Sequence, residues 1–200
     1  MPLVAGRYPA SNEEWLLDGS PFPPNRQSIS RRDITGAVTP TVANVYVVAM
    51  AFQPGDIIGA ISIGVVTASA TPTHGWAALY TGIAAASTLI SQSADNTSGF
   101  TPSAGSQKFV LATPYLVGSP PGGTGSTGPV ILGVALYNSA TTGGALDGMA
   151  GSGVAGGVIL TGQVALVSKF ALSATATAPA TLAGIAATVG PVPYIVCSKS

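Results

Sequence analysis

Charge is the scarcest property of this chain. Its 200 residues include 7 Lys+Arg and 7 Asp+Glu, so formal net charge is zero and charged residues make up 7% of the total. Ordinary soluble domains carry about a quarter, and a freely dispersed protein uses that charge to keep its surfaces apart. A chain this poor in charge is expected to live against a partner or inside an assembly. Neutrality also argues against nucleic acid, because phosphate binding needs clustered Lys and Arg. Here Lys108, Lys169 and Lys199 stand far apart in the sequence.

Cysteine and histidine are nearly absent as well, at one each. With only Cys197, there is no internal disulfide framework and no zinc site built on thiolates; a buried structural thiol is the expectation. With only His74, a nucleophilic triad has a single candidate base, and no catalytic signature surrounds it. No G-x-S-x-G occurs between a strand and a helix. The glycines of PPGGTGSTGP lack the Lys-Ser/Thr of a phosphate loop. After residue 35 the only acids are Asp56, Asp95 and Asp147. Each is read as a turn residue bonding its local backbone, which leaves no carboxylate pair for glycosidase chemistry. No enzyme activity, cofactor or metal is expected.

Long hydrophobic runs are missing too, although mean hydropathy is +0.48. Residues 148–168 carry no charge over a length that spans a bilayer. They are rich in Gly, hold Ser, Thr and Gln, and no cluster of Lys or Arg flanks them, so no membrane insertion is expected. The N-terminus lacks the basic start and apolar core of a secretion signal.

What is abundant is Gly, at 26, and Pro, at 16. Such dense breakers disfavour long helices. The chain divides near residue 36. Arg7, Glu13, Glu14, Asp18, Arg26, Arg31, Arg32 and Asp33 place 8 of the 14 charges in the first 35 residues. That segment also holds Pro2, Pro9, Pro21, Pro23 and Pro24, which favour an extended path. SNEEWLLDG, residues 11–19, reads as one helical turn, capped by Ser11 with Glu14 at the capping-box position and ended by Gly19. Residues 1–35 are therefore expected to form an extended docking arm, with Trp15, Leu16 and Leu17 as apolar anchors and Arg31 and Arg32 as docking charges.

From residue 36 the pattern is short strands separated by turns. VANVYVVAMAF (42–52) is β-branched and aromatic and stops at Gln53-Pro54-Gly55. DIIGAISIGVV (56–66), GWAALYTG (75–82), TLISQS (88–93), QKFVLA (107–112), PVILGVALYN (129–138), VILTGQVALV (158–167) and PVPYIVC (191–197) follow. The second and third of these are separated by a loop, and 75–82 with 88–93 is a candidate hairpin. GSPPGGTGSTGP (118–129) and the Gly-rich 138–157 read as connections. Regular short strands with turn clusters indicate an all-β domain over 36–200, a β-sandwich or jelly roll. His74 and Trp76 form a candidate ligand edge, since aromatic rings stack on sugars, although a buried core tryptophan is the commoner fate.

The order Leu-Tyr at 79–80, Thr-Pro-Tyr at 113–115 and Leu-Tyr at 136–137, within WAALYTG, QKFVLATPYLVGS and PVILGVALYNSATT, resembles the jelly-roll domains of virion proteins of tailed bacteriophages with actinobacterial hosts. The resemblance covers roughly residues 40–145. It implies that Leu79, Tyr80, Thr113, Pro114, Tyr115, Leu136 and Tyr137 are core and turn residues. It also implies a homo-oligomer, a trimer being the common form, placed on a virion against a major capsid or tail protein. Two roles are then open: a decoration protein that cements the head through its arm, or a tail or fibre component that binds a host glycan.

Overall fold

In the computed structural model, residues 25–28, 34–101, 104–118, 130–149, 167–188 and 191–199 are described. Thirteen strands form among them: β1 (Asn25–Gln27), β2 (Gly36–Val38), β3 (Asn44–Phe52), β4 (Ile57–Thr67), β5 (Gly75–Tyr80), β6 (Leu89–Gln92), β7 (Gly105–Leu116), β8 (Val130–Asn138), β9 (Ala145–Met149), β10 (Val167–Ala171), β11 (Ala186–Thr188), β12 (Val192–Pro193) and β13 (Ile195–Ser198). One 3-10 turn, Thr97–Phe100, is the only helical piece among these residues.

The strands build two antiparallel sheets, as the strand pattern leads one to expect. The first runs β1-β13-β4-β9-β12, with β7 added on β4 and β2 on β9. The second runs β11-β10-β3-β8-β5-β6. Most successive strands change sheet, so β3, β5 and β8 alternate with β4, β7 and β9 across the sandwich. Alternation of side chains along each strand supplies the core between the sheets. Tyr46, Val48, Met50 and Phe52 of β3 face Ile61, Ile63 and Val65 of β4, with Phe109 of β7 and Cys197 of β13 closing the layer. Each large side chain that is fully buried there contributes about 1.5–3 kcal/mol.

β5 and residues 132–137 of β8 are buried on both faces, which alternation alone does not explain. A second apolar layer lies on the outer side of the second sheet. It joins Val45, Val47, Trp76, Ala78, Tyr80, Ala135 and Tyr137 to Ala178 and Leu182. The cover is a strap, residues 172–185. Its carbonyls take the polar ends of the aromatic side chains beneath it. Trp76 Nε1 donates to Thr175 O at 3.1 Å, and Tyr80 Oη to Pro179 O at 2.8 Å. Tyr137 Oη donates to Leu172 O at 3.3 Å and Ser173 O at 3.2 Å. Gln92 Oε1 accepts from Ala178 N at 2.7 Å. Burial of a tyrosine or indole is favourable when its polar end finds such a partner. Gly133 is required under this layer: a Cβ there would collide with the Gly82 carbonyl.

One lateral side of the sandwich is closed by β7. Ile58 pairs with Tyr115 and Ala60 with Val110, so Gly59 alone spans four residues of β7. Those four bulge toward the other sheet, where Leu111 bridges Ser93 and Thr113 N donates to Ser91 Oγ.

Three expectations need correction. Asn25–Gln27, read as part of the arm, is an edge strand paired with Val196–Ser198. Arg26 holds Asp56 with a fork of two bonds, Nε–Oδ2 at 2.7 Å and Nη2–Oδ1 at 3.0 Å. The Gly-rich stretch 138–157 contains β9, and Asp147 stands inside that strand, not at a turn. Of the late strand expected at 158–167, Val167 lies in β10; the rest of that expectation falls on residues 150–166, which lie outside the described residues. Residues 1–24 and 29–33 also lie outside them, and with them Trp15, Leu16, Leu17, Arg31, Arg32 and the helical turn at 11–19. No helix among the described residues is long and apolar enough to cross a membrane.

Candidate functional site

His74 sits immediately before β5, at the end of the sandwich where the loops 68–74, 93–96 and 139–144 meet. The loop reaches it through backbone that side chains rarely adopt: Thr71 has φ +44°. A β-branched residue there is a true outlier, and it is held in place by neighbours. Thr71 Oγ1 lies 2.7 Å from Thr141 Oγ1, and Ala70 forms a bridge with Thr142. Strain of this kind persists only where surrounding contacts over-determine it.

Asp95 organises the pair. Its Oδ1 accepts Gly75 N at 2.8 Å, and its Oδ2 lies 2.7 Å from His74 Nδ1. The two side chains are 31% and 27% exposed. Ser139 ties the same loop from behind: its Oγ accepts His74 N at 2.9 Å and lies 2.7 Å from Thr73 Oγ1. Under Gly75 the ring of Phe100 packs so closely that a Cβ would stand 2.8 Å from its Cδ2.

The arrangement fixes the imidazole at Nδ1. An orienting acid at Nδ1 is the back half of a triad, and the front half needs a hydroxyl at Nε2. Ser139, the hydroxyl bound nearest, is committed to the backbone N–H of His74 and to Thr73. Among the described residues no group of three His, Cys, Asp or Glu is placed to hold a metal ion. What the site presents is a part-exposed imidazole held by Asp95, with Thr73 and Ser139 bonded behind it.

Trp76 does not join it. The side chain is fully buried, stacked on Tyr137 with ring centroids 5.0 Å apart and an interplanar angle of 24°. The indole faces the strap and has no surface for a sugar, so of the expected ligand edge only His74 reaches solvent. Leu79, Tyr80, Leu136 and Tyr137 are core residues, while Thr113 and Pro114 stand exposed on the β7 bulge. No protein-family model matches this chain, and no curated protein sequence matches it either.

Burial also sets the chemistry of three groups away from the loops. Removal from water pushes the Tyr80 hydroxyl and the Cys197 thiol well above their ordinary ranges, and raises Tyr137 as well. Cys197 is buried beside Met50, its Sγ 4.0 Å from Sδ. A thiol held protonated and out of solvent is inert. These groups are structural. Asp95 is the one site residue that sequence reading set aside as a turn former. The only signal for its role was its position 21 residues after the sole histidine, and spacing of that kind pairs no residues by itself.

Proposed function

We propose that this chain is a non-enzymatic structural subunit of a virion, a head-decoration protein that docks through its N-terminal segment and packs against copies of itself. The observation that carries the reading is the poverty of charge on a folded, rigid sandwich. Among the described residues Arg26 pairs with Asp56, and His74 lies against Asp95. These contacts leave Lys108, Lys169, Lys199 and Asp147 as the remaining charges there. Surfaces so neutral favour association over dispersion. The order of Leu-Tyr and Thr-Pro-Tyr motifs supports the same class of protein, and the buried indole of Trp76 weighs against glycan stacking.

The test has two parts. Immunogold labelling of particles from the source culture is expected to mark the head; label confined to the tail, or no label on any particle, overturns head decoration. Deletion of residues 1–24 keeps β1 and the Arg26–Asp56 pair intact. The truncated protein is expected to fold with an unchanged melting temperature and to fail to join particles. Full occupancy by the truncated protein would show that the segment does not dock.

A further inference from the structure

The face of the first sheet turned away from the core carries a groove of about 400 Å³. Gly64 is its floor, with Ser62, Ser106, Tyr194 and Val196 around it. The carboxylate of Asp147 lies across Gly64, in a position that any Cβ at residue 64 would occupy. Glycine thus lets a half-buried carboxylate rest directly on the sheet. Asp147 takes part in neither the Arg26–Asp56 nor the His74–Asp95 contact. A carboxylate withdrawn from bulk water favours a cation or a strong donor nearby.

A cation stands on the same face. Lys108 is opposite Ser62 in the β4–β7 register, and Phe109 beside it points the other way, into the core. Lys108 is exposed and also belongs to neither pair. Next to it on the same side of β7, Val110 is 55% exposed, and Val66 at the end of β4 is 38% exposed. The face therefore holds one recessed carboxylate, one projecting ammonium and open apolar side chains, Val110 and Val66 among them, with Tyr194 and Val196 beside the groove.

A twofold rotation makes such a face complementary to itself, because each copy offers what the other lacks. We propose that two copies of this chain pack through this face, with Lys108 of each copy entering the groove of the other to meet Asp147, and Val110 and Val66 excluding water around the pairs. The inference rests on the reading of the chain as an assembling subunit and names the surface that joins one copy to the next.

Sedimentation velocity of the full chain over a concentration series tests it. The wild type is expected to be a dimer whose dissociation constant rises with salt. Lys108→Asp and Asp147→Lys are each expected to raise that constant by about tenfold or more, and the double exchange to restore it to within about threefold. Circular dichroism melts check folding, and Lys108→Gln and Asp147→Asn repeat the single changes with little steric cost. A monomeric or trimeric wild type, singles without effect, or a double exchange no better than the singles overturns the proposal. A dimer behaving as expected on a protein that never labels particles sinks the virion reading alone. Labelled particles with an unperturbed Lys108→Asp protein sink this contact alone.

Discussion

Replacing Trp76 with alanine strips the second apolar layer of its largest member. The indole is fully buried, so truncation costs its transfer free energy and leaves a cavity under the strap. Trp or Phe to Ala changes in packed interiors cost about 3–5 kcal/mol. The stacked contact with Tyr137 contributes about 0.5–1.5 kcal/mol within that figure. The Thr175 carbonyl also loses its donor, a further loss of about 1 kcal/mol. A total of about 4–6 kcal/mol is a large share of the stability of an ordinary domain, about 5–15 kcal/mol. Trp76→Phe separates the terms: it keeps a ring under the strap and loses chiefly the N–H bond, for a cost of about 1–2 kcal/mol. Urea unfolding followed by far-UV circular dichroism measures both. A loss under about 1 kcal/mol for Trp76→Ala would mean that the indole is not a packed element, and the reasoning that withdraws it from ligand binding would fail.

Alkaline pH is expected to destabilise the fold through its buried acids. Tyr80 and Tyr137 are raised above 10.0 and Cys197 above 9.0 by burial. The native state therefore keeps protons that the unfolded chain gives up. Stability is complete below the unfolded values and falls as pH rises past them, by about 1.4 kcal/mol per pH unit for each group so held. Tyrosinate absorbance checks this: of the six tyrosines, two should ionise only as the protein unfolds, and a single titration of all six with native dichroism retained would contradict it. Arg26→Met should cost about 2 kcal/mol, since it leaves Asp56, at 18% side-chain exposure, without its fork; a denaturation midpoint equal to wild type would show that the edge strand is held by its backbone alone.

The strands legible in the sequence are those whose side chains announce their burial. NVYVVAMAF and ILGVALYN are β-branched, aromatic and long, and their register in the second sheet is where their composition puts them. β1 is illegible because Asn, Arg and Gln carry no apolar signal; its strand exists through pairing with β13 and the reach of Arg26 to Asp56. β9 is hidden by glycine. Gly148 reads as a breaker, yet a Cβ there would strike the Val192 carbonyl, so the glycine marks close approach inside a sheet. The strap was invisible for a similar reason. LSATATAPATLAGI has few large side chains, and its role is to offer carbonyls to Trp76, Tyr80 and Tyr137 from a distance in sequence. That is why His74 and Trp76, neighbours in the chain, end in opposite environments. The pairing of His74 with Asp95 is a meeting of two loops, and no local pattern encodes it.

The strap also sets an order of events for a chain being synthesised. Trp76 bonds Thr175, and Tyr80 bonds Pro179, each across 99 residues. At about 5–20 residues per second, a nascent chain holds that aromatic face bare for roughly 5–20 seconds before its cover leaves the ribosome. The residues that cover the second sheet are thus made well after the face they close. Premature termination anywhere before residue 182 yields a sheet with a naked aromatic side, a species suited to aggregation or to capture by chaperones.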